Sequence, residues 1–205
     1  MALVKLNNRG VRSATAFGSI TGLGSMVFIK KQTASSSATI SFVDGTSDVV
    51  LDNTYKEYLF TFNNIHPATD NASFSVNFST DGGSNYNVTK TTNYFRAIHW
   101  ENDTTAFGYD TGGDLAQSTD FQNIITVIGA DNDQSGTGYM HLFNPSSTTF
   151  VKHFIVNAQK AHYLDISVNE FYAGYGNTTS AVDAVQFKMS SGNIDAGDIC
   201  LYGIN

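Results

Sequence analysis

The first 43 positions contain no acidic residue: the earliest of the eighteen Asp and Glu is Asp44. Cysteine occurs once, as Cys200, which excludes an intrachain disulfide; its place in an alternating apolar stretch makes it a small core residue. Proline occurs twice (Pro67, Pro145) and glutamate three times (Glu57, Glu101, Glu170). So little glutamate leaves few ways to build the carboxylate pair of a glycosidase, whose members sit roughly 5 to 9.5 Å apart. No apolar run approaches the ~18 residues of a membrane-crossing helix, and Met1–Arg12 lacks the apolar segment of a secretion signal. The expectation is a protein made in a cytoplasm and working without a membrane, in which the sequons at Asn71 and Asn87 carry little weight. Neither G-x-S-x-G nor H-E-x-x-H occurs. The stretch Gly18–Gly24 lacks the lysine and the preceding strand of a phosphate loop, and reads as a hinge.

What is present is polarity of charge. Five of the eleven basic residues (Lys5, Arg9, Arg12, Lys30, Lys31) precede Asp44, whereas the rest of the chain sets six Lys and Arg against eighteen acids. Charge blocks of opposite sign steer docking and orient it. With the apolar hook Phe17, those five cations make residues 1–25 and the positions just beyond a candidate docking arm. They are too dispersed for a nucleic-acid footprint, and the body is acidic. At 205 residues the chain suits one domain with an appendage. Its 41% hydrophobic content, 15 Phe, 10 Tyr and only 14% charge favour strands over exposed helices.

Strand periodicity dominates. Phe74, Val76 and Phe78 alternate with serines and Asn77, the pattern of a strand with one buried and one wet face; Ile40/Phe42 and Val185/Phe187/Met189 repeat it. Denser runs at 26–29, 58–62, 94–100, 139–143, 150–156 and 199–204 predict more central strands. Turn signals separate them, including Asp81-Gly82-Gly83, read as a tight hairpin, and Ser191-Gly192-Asn193. Pro67 is expected to end the strand 58–62, since it has no N–H to donate. One helical turn or two is predicted within 114–125, with Asp114 or Thr119 as cap. The fold class is therefore all-β: a two-sheet antiparallel β-sandwich of jelly-roll type over 26–205, with an extended N-terminal arm and an ordered C-terminus.

Three motifs carry a resemblance. The first runs through Tyr55-Lys56-Glu57-Tyr58-Leu59-Phe60, Ile65-His66-Pro67-Ala68-Thr69-Asp70 and Ser79-Thr80-Asp81-Gly82-Gly83 to Asn85-Tyr86. The second is Leu142-Phe143-Asn144-Pro145. The third spans Val185-Gln186-Phe187, Ser190-Ser191-Gly192-Asn193-Ile194, Ala196-Gly197 and Leu201-Tyr202-Gly203-Ile204. In these, from about residue 26 onward, the chain resembles a β-sandwich module of structural proteins in tailed bacteriophages, especially marine ones. The opening Met1-Ala2-Leu3-Val4-Lys5-Leu6-Asn7-Asn8 looks like the start of many such fibre-like or decoration-like proteins. The resemblance implies a jelly roll, oligomers (often trimers), a place in the virion beside capsid or portal-tail proteins, no catalysis and no cofactor. It transfers no ligand residues.

Candidate sites for small ligands are few. Aromatic faces match the C–H faces of sugars, so Trp100, Tyr109, Tyr163, Tyr172 and Tyr175 are candidates for a surface glycan, the alternative partner. Glu101 and Asp103 beside Trp100 resemble a sugar site, although solvated turn residues explain them better. Asp131, Asp133 and Ser135, followed by Gly136, partly match a calcium loop. Leu142 stands where its chelating Glu belongs, so a polar hairpin loop is the better reading. The five histidines lack metal-ligand spacing, although His141 and His153 fall on adjacent predicted strands.

Overall fold

The computed structural model describes residues 25–162, 164 and 166–205. Among these, twelve strands and no helix are found: β1 (Met26–Ser37), β2 (Ile40–Val43), β3 (Glu57–Pro67), β4 (Ala72–Ser79), β5 (Lys90–Trp100), β6 (Thr105–Tyr109), β7 (Gln122–Ile128), β8 (Gly136–Phe143), β9 (Lys152–Ala161), β10 (Ile166–Gly176), β11 (Ala184–Met189) and β12 (Ile194–Ile204). They form an eight-stranded sheet, β1-β12-β3-β8-β9-β10-β5-β6, and a four-stranded sheet, β2-β11-β4-β7. All named pairings are antiparallel. The protein is a β-sandwich. Between β1 and β5 the chain changes sheet at each step, so simple hairpins join only β5 to β6 and the run β8-β9-β10.

The core lies between the sheets and follows from alternation. On β3, Tyr58, Phe60 and Phe62 are fully buried while Leu59 and Thr61 face the other way. Phe187 on β11 is the hub: its ring lies 5.5 Å from Phe60, 5.4 Å from Phe62 and 6.3 Å from Phe42, and stacks on Phe74 at 5.4 Å. β12, expected from the terminal motif, is inserted between β1 and β3, so the C-terminus is an interior strand of the larger sheet.

Several expectations need correcting. The polar side of β4 is buried, because the following loops lie over it: Asn77 Nδ2 donates to the carbonyls of Tyr86 (2.6 Å) and Thr119 (2.9 Å). Asp81-Gly82-Gly83 is no hairpin; it joins β4 to β5 in the other sheet. Its carboxylate accepts from Asn85 N (2.9 Å), Asn85 Nδ2 (2.8 Å) and Ser79 Oγ (2.7 Å), while Gly83 takes a φ of 80°. These bonds hold the Asp81 carboxyl down to about 2, with Asn85 the largest contributor. Residues 114–121 are irregular rather than helical: Leu115 N donates to Thr92 Oγ1 (2.8 Å), Ser118 bridges to Lys90, and β7 starts at Gln122. Ile124, Ile125 and Thr126 are β-branched and pack better on a pleated surface than in a helix. The run 26–29 lies on an edge strand, not a central one. Pro67 does end its strand, as expected, but β3 runs on past 62 to reach it: Pro67 is the last residue and pairs with Ile194, so the missing N–H falls where the ladder ends.

The outer faces of the two sheets differ in kind. Directly opposed residues of an antiparallel pair share a face, so the outer face of the larger sheet can be read along its register. One cross-strand row runs Phe28, Tyr202, Leu59, His141, Ile155, Ala173, Asn93. The next runs Lys31, Cys200, Thr61, Tyr139, Asn157, Phe171, Phe95, Tyr109. Phe95 stacks on Phe171 at 4.8 Å and meets Phe107 of β6 edge-on at 5.8 Å.

Candidate functional site

Two structural segments that are distant in sequence meet at one end of the larger sheet. The β5–β6 turn closes through Trp100 N to Thr104 O (2.9 Å) and Asp103 N to Trp100 O (3.0 Å), with Asp103 at a φ of 67°. The loop from β7 to β8 is pinned by Gln134 N to Asp131 O (2.9 Å), by His66 Nε2 on Asp131 O (3.2 Å) and by Ala130 N to Asp70 Oδ1 (3.1 Å). Between them lies a cleft of about 600 Å³ lined by Trp100, Glu101, Asp103, Asp133, Gln134 and Ser135, with Thr137, Gln159 and Ser167 from the strands beneath. Sequence reasoning picked out both segments separately and did not bring them together. It missed Gln159 and Ser167 altogether, because only strand pairing brings them there (Gln159 opposite Thr137, Ser167 opposite His99). The Asp131–Ser135 segment joins strands in different sheets, so it is a crossover and not the expected hairpin loop.

The cleft rests on a sealed polar network. Lys160 Nζ donates to Glu170 Oε1 (3.0 Å) and Thr126 Oγ1 (2.6 Å), Tyr94 OH donates to Glu170 Oε1 (2.7 Å), and Thr126 N donates to Glu170 Oε2 (2.9 Å). Both charged side chains are wholly excluded from solvent. Burial pulls the Lys160 ammonium below its ordinary range, and the Glu170 carboxylate opposes that pull. Burial, with Glu170 next to it, pushes the Tyr94 phenol up. His162 is held neutral: burial, then the cations Lys160 and Arg96, bring it down to about 4.

The other expected glycan residues are scattered. Tyr172 is a correction: it is buried and stacks on Tyr94 at 4.3 Å, so it offers no face to a sugar. Tyr109 sits on edge strand β6 with its hydroxyl on Asp114, and its partner Phe95 is five residues from Trp100, roughly 17 Å along the strand. Tyr175 pairs with Thr91 at the opposite end of β5. Tyr163 lies outside the described residues, as do Lys5, Arg9, Arg12 and Phe17. Lys30 and Lys31 belong to β1 rather than to an arm, and Lys31 pairs with Asp198 at 3.2 Å. Lysines on a 12-residue edge strand discourage uncontrolled sheet-to-sheet pairing. His141 bonds Glu57 and opposes Ile155, not His153. Among the described residues, no group of three or more His, Cys, Asp or Glu is arranged to hold a metal ion.

A second buried cation sits under the β4 loops. Lys90 Nζ donates to Asn77 Oδ1 (2.6 Å) and Val88 O (2.8 Å). Burial lowers its ammonium to about 8, against the pull of Asp120. Between pH 8 and the unfolded value of 10.5 the unfolded chain therefore binds more protons than the folded one, so stability rises with pH in that window. The rise attributable to Lys90 is up to about 3 kcal/mol. Lys152 is lowered by burial and adds in the same direction. Tyr58, Tyr94 and Tyr172 are raised by burial and act oppositely above pH 10. Urea denaturation across this range is expected to show stability climbing and then falling. Lys90→Met should flatten the climb; an unchanged slope would exclude Lys90 as its source.

Comparison with known proteins returns nothing: no family model, no curated protein and no solved structure matches the chain.

Proposed function

We propose that this chain is a structural component of a tailed-phage virion: a jelly-roll head-decoration (cement) or tail and fibre attachment subunit. It docks by its basic N-terminal segment, self-associates, by analogy as a trimer, and works by occupying a place in the particle rather than by catalysis. The observation that carries this reading is where the basic segment joins the body. The chain enters the sandwich at Ser25, whose carbonyl accepts from Asn205 N (2.9 Å), at the edge strand of the larger sheet. A stretch with cations and no acid is thus attached at the rim of a body with excess acid, the arrangement that orients a subunit on a surface. The resemblance in the three motifs supports the virion setting. A subunit that binds the assembled shell across its seams stabilises it by mass action.

Deleting Met1–Gly24 is expected to abolish attachment to purified particles while the sandwich melts as before. Attachment of the full chain should weaken as salt screens the arm. Truncated protein that still decorates particles would refute docking by the arm. Copy number in purified particles then separates the two locations: hundreds of copies indicate the head, and a dozen or fewer the tail.

A glycan-binding reading is favoured by the cleft, where one indole borders carboxylates, amides and hydroxyls suited to a ligand rich in hydroxyl groups. If the cleft holds a saccharide, Trp100→Ala should weaken binding by on the order of 30-fold with the fold intact. A glycan array with no signal above background would leave the structural reading standing alone.

A further inference from the structure

The outer face of the eight-stranded sheet, read by register above, has the composition of a buried surface yet is bare. Phe28, Tyr139, Ile155 and Phe107 are 57%, 42%, 48% and 76% exposed. In the two central rows the only Lys, Arg, Asp or Glu is Lys31, neutralised by Asp198. The smaller sheet shows what a covered face looks like here, since loops bury Ser75 and Asn77 of β4.

We infer that this face docks against a second copy of the chain. The inference rests on the self-association in the reading above and assigns it a surface. Two arguments select this occupant. Each copy carries a formal charge of −7, so copies repel over most of their surface and meet without that cost only where charge is absent. The basic arm and an acidic partner would both need unpaired charge on this face, and the charges it carries are already paired, Lys31 with Asp198 and Glu57 with His141. Size is the second argument. Eight strands spaced ~4.8 Å apart, with about seven residues of ~3.3 Å each, give roughly 900 Å². A standard stable interface takes about 800 Å² from each partner. Aromatic enrichment and depletion of charge are also what mark the centre of such an interface.

Sedimentation equilibrium of the full chain is expected to give a multiple of the 22.2 kDa protomer. Ile155→Lys and Tyr139→Glu, which place a charge at the middle of the face, should each weaken association at least about 100-fold. Both side chains already meet solvent in the protomer, so melting of the separated chain should be preserved. Should either variant fail to fold, Phe28→Lys at the rim makes the same test. A wild-type chain that stays at one protomer mass overturns the inference, as do variants that associate like wild type. The Met1–Gly24 deletion separates this inference from the virion reading. Truncated protein that keeps its oligomeric mass but no longer attaches to particles supports the face. Truncated protein that falls to a single protomer assigns association to the arm and overturns it.

Discussion

Glu170→Ala is expected to lower the melting temperature by roughly 6–20 °C. Among the described residues Glu170 is the sole carboxylate bonded to Lys160 Nζ, and neither side chain touches solvent. Removing it leaves an ammonium in a dry interior with only Thr126 oxygens for company. The loss of one partner of a buried pair costs about 3–5 kcal/mol, because the survivor's desolvation is no longer offset. Tyr94 OH and Thr126 N lose their acceptor in the same step. The double variant Lys160→Met/Glu170→Leu separates charge from packing. It removes both ions with similar volume, and should recover most of the loss. Denaturation of the two single variants and the double variant checks this as a cycle. A Glu170→Ala protein melting within a degree or two of wild type would show that Lys160 is not held as a charged group.

Phe187→Ala should destabilise by about 3–5 kcal/mol through a cavity at the centre of the sandwich. Four rings contact Phe187, from both sheets: Phe60 and Phe62 on β3, Phe42 on β2 and Phe74 on β4. β-strands cannot close the hole by rotating as an isolated side chain would, since each of these rings is already fixed by its own neighbours. Chemical denaturation should show a lower midpoint with an unchanged slope. Phe187→Leu, which keeps more of the volume, should cost less. Equal losses for the two would mean that the ring contacts contribute nothing beyond bulk.

How much of this was legible in the sequence varies by element. The alternation of Phe74, Val76 and Phe78 with small polar residues gave β4 and its inward face, because side chains on a strand alternate whatever surrounds it. The same pattern misjudged the opposite face of β4, since burial of Asn77 depends on loops that fold over it from positions 86 and 119. The segment 114–125 misled for a local reason: Asp114 and Thr119 are cap-like, but the β-branched run after them suits a strand, and Thr92 and Lys90 supply the bonds a helix would have made internally. Asp81-Gly82-Gly83 is a turn but not a hairpin, because turn chemistry fixes a reversal but not which sheet receives the next strand. Of the aromatic candidates, Tyr172 went to the core while Trp100 reached a cleft; the two share the inner face by register, and the difference is position along the strand, since Tyr172 opposes Tyr94 in mid-strand whereas Trp100 is the last residue of β5.

By itself, the sequence determined the all-β class, the two-faced strands, the ordered C-terminal strand and the separation of a basic leader from an acidic body. Each of these follows from local periodicity or from counting charge, and neither needs a partner segment. Only the tertiary structure decided the strand order, the burial of Lys90 and Lys160, the joining of Trp100 with the Asp131–Ser135 loop, and the charge-poor aromatic outer face. Those depend on register between strands far apart in the chain, and register is settled by the packing of whole sheets rather than by any one segment.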